Sequence, residues 1–215
     1  MSELKLHYHP LSSYCWKAII AFYENNTPFT PILVEDAAGW AKVAALWPIK
    51  KFPLLEDVDR DVVVPEASII IEYLALHYPG EFLSIPADDD AALEVRLMDR
   101  IFDNYVMTPM GSIVADIIRP DSANKDPYGV AQARERLATS YDLLEKRLAG
   151  RSWAAGDTFS LADCAAFPAL YYANRLVPIG DDRPILTAYL NRLQTRPSIA
   201  RVFAEAEPFL HMFPG

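Results

Sequence analysis

Residues 4–24, LKLHYHPLSSYCWKAIIAFYE, change periodicity within a few positions, and few folds accommodate that change. Leu4, Leu6 and Tyr8 alternate with Lys5, His7 and His9, the period-2 pattern of a strand. Pro10 removes a backbone donor and ends it. From Ser13 onward, Trp16, Ile19, Ile20 and Tyr23 recur at helical spacing, with Ser12 or Ser13 available as N-cap. A strand therefore passes through a short loop into a helix whose first turn carries Ser12-Ser13-Tyr14-Cys15. Such a turn exposes unpaired N–H groups and the positive end of the helix dipole. It suits an anion, and it lowers the pKa of a thiol brought to it.

The alternation continues. A turn at Asn25-Asn26-Thr27-Pro28 leads to a second predicted strand over 29–34, where Pro31 favours an edge position. A small-residue helix over 37–46 starts at Asp36 and stops at Trp47-Pro48. Residues 51–56 read as a third strand entered through Pro53, and 62–64 as a fourth. Pro65-Glu66-Ala67-Ser68 opens a helix carrying Ile69, Ile70, Tyr73, Leu74 and His77. The order is βαβαββα, a thioredoxin-like α/β N-terminal domain over 1–80 with a closing hairpin. Prolines, a glycine and an acidic run over 79–90 mark a boundary, with 81–89 as the linker. Beyond it, 90–215 predicts an all-α helical bundle domain. Its segments are 91–118, bent or broken at Pro109, then 130–148, a nearly all-apolar helix after Ser160-x-x-Asp163, and 185–195 and 198–207. Ser160 and Asp163 form a capping-box pattern, which gives Asp163 a structural role and leaves Cys164 a core thiol.

Composition narrows the function. The chain has 215 residues, 52% of them apolar and 23% charged, enough for a substantial core. A formal net charge of -9 argues against a nucleic-acid surface. Cysteines at 15 and 164 offer neither a disulfide framework nor metal spacing, so no metal is expected and a reducing compartment is. No signal peptide is read at the start, and the apolar runs are too short to span a membrane. The expectation is a cytoplasmic protein with no membrane partner.

Three motifs and the capping box, in this order, resemble the cytosolic-type glutathione transferases, in particular serine-type, bacterial-like ones. Ser12 stands at the first position of the Ser-x-x-Cys loop, where thioredoxin-like folds place a nucleophile. WPIKKFP resembles the family's Asn-Pro-x-Gly-Lys-Val-Pro run, with Pro48, Lys51 and Pro53 in the matching places. PEASIIIEYL resembles its Glu-Ser-x-Ala-Ile-x-x-Tyr-Leu helix start through Glu66, Ile70, Tyr73 and Leu74. Ala67 departs from it where the serine belongs. The resemblance spans nearly the whole chain.

What it implies is a transferase with glutathione as cosubstrate, attacking a small hydrophobic electrophile, and a homodimer. Ser12 would donate a hydrogen bond to the glutathione thiolate. Phe52, before a cis Pro53, would pair its backbone with the cysteine moiety. Lys51, with Lys50 as rival, would reach the glycine carboxylate. Glu66 would take the γ-glutamyl ammonium and the Ala67 N–H its carboxylate. Ser68 would compensate for the missing hydroxyl, although it points about 100° away around the helix. Leu11, Tyr105, Met107 and Met110 are candidates for the electrophile's cleft, with ordinary bundle core as the competing assignment. Ser13 competes with Ser12 for the thiol. Two alternatives stand beside this: a non-catalytic transferase-like binding or assembly module, which the loss of serine at 67 favours, and glutathione thiol exchange through Cys15.

Overall fold

A computed structural model describes residues 3–214, so the expected limits at 1 and 215 lie outside the described residues. The first half contains β1 (Leu4–Tyr8), α1 (Ser13–Glu24), β2 (Thr30–Leu33), α2 (Ala37–Leu46), β3 (Leu54–Asp57), β4 (Val62–Pro65) and α3 (Ala67–His77). This is the expected βαβαββα order. The strands form one sheet in the order β2-β1-β3-β4, with β1 parallel to β2 and antiparallel to β3, and β3 antiparallel to β4. Pro31 lies on the edge strand, where its missing N–H interrupts no ladder.

On β1, Leu4 and Leu6 are buried as the alternation requires. His7, on the face read as polar, is buried as well. The second face of the sheet is covered where Val34, Val43 and Leu54 pack with Leu46, Trp47 and Phe52 near α2. Burial pushes the His7 pKa down, with Lys42 adding to the effect, and its Nε2 lies 3.5 Å from Glu56 Oε1.

The remainder is helical: α4 (Asp89–Ile101), a π-helical segment (Phe102–Met107), α5 (Thr108–Ile117), α6 (Pro127–Arg147), α7 (Leu161–Leu176), α8 (Pro184–Gln194) and α9 (Pro197–Ala206). Pro109 breaks the long helix as expected, and the break takes the form of a widened turn just before it. Pro109 has no N–H to offer the carbonyl one turn back, and that carbonyl, of Tyr105, accepts instead from the Ser140 hydroxyl of α6 at 2.7 Å. The widened turn also carries Asp103 and Asn104.

At the start of α7 the capping box is present. The buried Asp163 carboxylate accepts from the Ser160 N–H (2.9 Å), the Ser160 hydroxyl (3.2 Å), the Ala154 N–H (2.8 Å) and the Tyr189 hydroxyl (2.7 Å). Cys164 is buried beside it.

Helix α1 joins the two halves. Residues 15–22 are all buried, because the helix packs on α3 on one side and on α7 and α9 on the other. Trp16 stacks on Phe167, with ring centroids 5.7 Å apart and planes at 14°. At the C-terminal end of α1, Glu24 accepts from both Arg196 Nε (2.6 Å) and Nη2 (2.5 Å), a bidentate pair.

Candidate active site

A cavity of about 190 Å³ lies where the first turn of α1, the α2–β3 connection, the β4–α3 turn and the π-helical segment meet. Its walls include Lys51, Phe52, Pro53, Glu66 and Ala67, five of the residues singled out by sequence. The other wall comes from Tyr14, Trp47, Arg100, Asp103 and Asn104. Larger hollows exist elsewhere, such as one of about 580 Å³ between α1, β2 and α9, but none of the motif residues line it. Size alone is therefore a poor guide here.

Phe52 and Pro53 are joined by a cis peptide. Phe52 packs on Trp40 at 5.2 Å and His9 at 6.3 Å between ring centroids, which fixes its backbone at the cavity wall. Neither its N–H nor its C=O has a hydrogen-bond partner among the described residues. Lys51 is exposed at the rim, whereas Lys50 is not part of the wall.

In the same wall, Glu66 has φ 70 and ψ 120, a left-handed backbone that costs a residue with a Cβ on the order of 1–3 kcal/mol. That conformation turns Glu66 out of helix α3 as its cap residue, and its side chain makes no capping bond. The carboxylate stays exposed at the cavity. Ala67 follows as the first helical residue, buried, with its N–H among the unpaired groups of the helix start.

Ser68 is placed differently from the expectation that it compensates for Ala67. Its hydroxyl accepts from Lys17 Nζ (2.8 Å) and Arg100 Nη2 (2.5 Å) and donates to Asp99 Oδ2 (3.0 Å). It is not part of the cavity wall. The one-residue step around the helix points it inward, into a cluster of Lys17, Asp99, Arg100 and Asp103. Lys17 is 1% exposed and lies 2.5 Å from Asp99 Oδ1 and 2.7 Å from Asp103 Oδ2. Arg100 Nη2 reaches Asp103 Oδ2 at 2.9 Å and also bonds Asp99. Two cations and two carboxylates thus form one cluster, Arg100 and Asp103 in the cavity wall and Lys17 and Asp99 behind it.

Ser12 caps α1: its Oγ accepts the Cys15 N–H at 3.3 Å, and its own N–H bonds the His9 carbonyl at 3.0 Å. Capping uses the hydroxyl as acceptor only, so its single proton remains free to be donated. Ser12 and Ser13 are both half-buried and stand beside the cavity rather than in its wall. Cys15 is fully buried; burial pushes its pKa up to about 12 even though Ser12 and the His9 backbone pull it down. A thiol so placed stays protonated at neutral pH, which argues against the thiol-exchange alternative. Of the cleft candidates, Met107 and Met110 are core, and Tyr105 is exposed and not in the wall of this cavity.

Tyr14, Trp47, Arg100, Asp103 and Asn104 escaped the sequence reading. A signal existed for part of the set: Lys17 is the lone charge in an otherwise apolar stretch of α1, and Asp99 and Asp103 are spaced four apart on one helix face.

Known proteins resemble this chain along both its halves. Residues 6–82 match the family model for the glutathione S-transferase N-terminal domain and residues 103–197 that for the C-terminal domain. The chain is 26% identical to glutathione S-transferase F13 of Arabidopsis thaliana, over 93% of this chain and 94% of that protein. A glutathione S-transferase from Methylobacterium radiotolerans, solved in complex with glutathione sulfonate, superposes with a TM-score of 0.81 at 26% identity, over 93% of this chain and 94% of that one. One from Methylobacillus flagellatus, solved with glutathione bound, gives 0.85 at 23% identity, over 93% and 98%.

Proposed function

The chain belongs to the glutathione transferase family, and on that premise we propose that it binds glutathione between Phe52 and Glu66 and activates the thiol through Ser12. The observation that carries the reading is the unpaired backbone of Phe52, which lines the same cavity as the start of α3. A peptide laid along Phe52 meets, in order, Lys51 at one end and the Glu66 carboxylate and Ala67 N–H at the other. That is the complement of a tripeptide with a carboxylate tail and a zwitterionic head.

A free thiol of this kind has a pKa near the cysteine value of ~8.5, so only a few per cent is thiolate at neutral pH. Lowering it by ~2 units takes about 2.7 kcal/mol of differential stabilisation. One charge-assisted bond from the Ser12 hydroxyl and the dipole of α1 together supply an amount of that size. The thiolate sulfur then bonds to the electrophilic carbon of a small hydrophobic substrate; with an activated aryl halide the carbon–halogen bond breaks and halide leaves.

Cysteines left free and buried at 15 and 164 suit a cytoplasmic setting. No helix among the described residues is long and apolar enough to cross a membrane. Leu76 (74%) on α3 and Leu93 (67%) on α4 are exposed apolar side chains that a second copy would cover in a homodimer. Light scattering at micromolar concentration checks this, with a strict monomer counting against it.

Ala67 favours one competing reading, a non-catalytic binding module. Titration calorimetry with glutathione, followed by conjugation to a nitro-activated aryl halide, separates the two. Binding with turnover supports the transferase; binding without turnover across an electrophile panel supports the module.

A further inference from the structure

Ala67 leaves the carboxylate of a γ-glutamyl head one hydroxyl short, and Ser68, its neighbour, is committed to Lys17, Asp99 and Arg100. The same cavity holds another hydroxyl. Tyr14, the second residue of α1, lines it together with Glu66, Ala67 and Arg100. Its ring is half-buried, and its O–H has no hydrogen-bond partner among the described residues. Arg100 stands alongside; Nη2 and Nε are taken by Ser68, Asp99 and Asp103, while Nη1 has no acceptor among the described residues.

We propose that the Tyr14 phenol donates the hydrogen bond to the γ-glutamyl α-carboxylate of glutathione that the Ala67 side chain cannot, with Arg100 Nη1 as second donor. The proposal rests on the reading of this cavity as the glutathione site. Three considerations carry it. The Ala67 N–H is already present at the helix start, so a carboxylate seated there needs its further donors from the rest of the cavity wall, which includes Tyr14 and Arg100. Arg100 and Asp103 in the wall, with Lys17 and Asp99 behind them, balance in charge, so the cluster as a whole does not repel an anion. The exposed Glu66 carboxylate does repel one, which makes neutral and cationic donors elsewhere in the wall necessary and leaves Glu66 for the adjacent ammonium. Burial, with Asp103 and Glu66 nearby, also pushes the Tyr14 phenol up to about 12, so it remains a donor throughout the physiological range.

The test is calorimetry of the full chain with two ligands: glutathione, and the analogue 4-aminobutanoyl-cysteinyl-glycine, which lacks only the α-carboxylate. Tyr14→Phe keeps the ring and removes the donor. Its Kd for glutathione is expected to rise about 10-fold, the loss of one hydrogen bond to a charged group. Its Kd for the analogue should equal that of wild type. Tyr14→Phe combined with Ala67→Ser should regain most of the affinity, which also shows that the variant folds. Wild-type affinity in Tyr14→Phe, or an equal loss for both ligands, overturns the assignment and leaves the glutathione site standing. Wild-type protein that binds no glutathione at millimolar concentration overturns both.

Discussion

Asp163 and Asp103 are carboxylates withdrawn from water in the same helical half, and their surroundings differ. Asp163, in the first turn of α7, accepts four hydrogen bonds shared between both oxygens, three of them from groups with no other role. Asp103, in the widened turn before Pro109, has Oδ2 gripped by Lys17 and Arg100 while its buried Oδ1 has no donor. Burial pushes both pKa values up; donors oppose the shift at Asp163, and at Asp103 Lys17 and Arg100 oppose it while Asp99 adds to it. Closed satisfaction marks a structural carboxylate. Incomplete satisfaction beside a cavity marks one held in place by neighbours that also serve a ligand.

That contrast can be broken by mutation. Asp163→Ala orphans the Ala154 and Ser160 N–H groups and the Tyr189 hydroxyl, at about 1–3 kcal/mol each. A loss of about 4 kcal/mol or more is expected in chemical denaturation, with the glutathione affinity of the folded fraction unchanged. An unaltered midpoint would mean that Asp163 is dispensable to the start of α7.

Lys17→Met leaves Arg100 as the one cation on Asp99 and Asp103 among the described residues, and the expected cost is about 3 kcal/mol, the lower end for a broken buried ion pair. Here, unlike at Asp163, the Michaelis constant for glutathione should also rise, because Ser68, Arg100 and Asp103 shift in and behind the cavity wall. Loss of stability with no change in that constant would make the cluster purely structural.

The smallest effect is expected at Cys15. Cys15→Ser should retain conjugating activity to within about a factor of two, since the thiol is buried and protonated. Iodoacetamide should label it only after denaturant is added. Labelling of the native protein, or a dead Cys15→Ser enzyme, would favour thiol exchange.

What the sequence made visible was local. The βαβαββα order follows from period-2 and period-3.6 patterns within single segments, the edge position of β2 from Pro31, the interruption of the long helix from Pro109, and the start of α7 from Ser160 and Asp163. The cavity wall formed by Lys51, Phe52, Pro53, Glu66 and Ala67 was legible because two short motifs carry it. Hidden were the contacts between segments far apart in the chain. Lys17 meets Asp103 across 86 positions and Ser68 across 51, and neither helix pattern reveals its partner. The same blindness made Ser68 look available and left Tyr14 unnoticed behind the serines. His7 was misread for a related reason: alternation describes a sheet with one wet face, and this one is covered on both.

The central claim is that Ser12 lowers the pKa of the glutathione thiol at the start of α1. It is tested most directly by titrating the ultraviolet thiolate absorbance of bound glutathione in wild type, Ser12→Ala and Ser13→Ala. Wild type should show a thiol pKa about 2 units below the free value of ~8.5. Ser12→Ala should return it most of the way, with affinity nearly intact and turnover lowered ~10–100-fold, as loss of about 1.5–3 kcal/mol implies. A bound thiol that titrates like free glutathione in wild type, or a Ser12→Ala variant with an unchanged pKa while Ser13→Ala shifts it, would contradict the assignment.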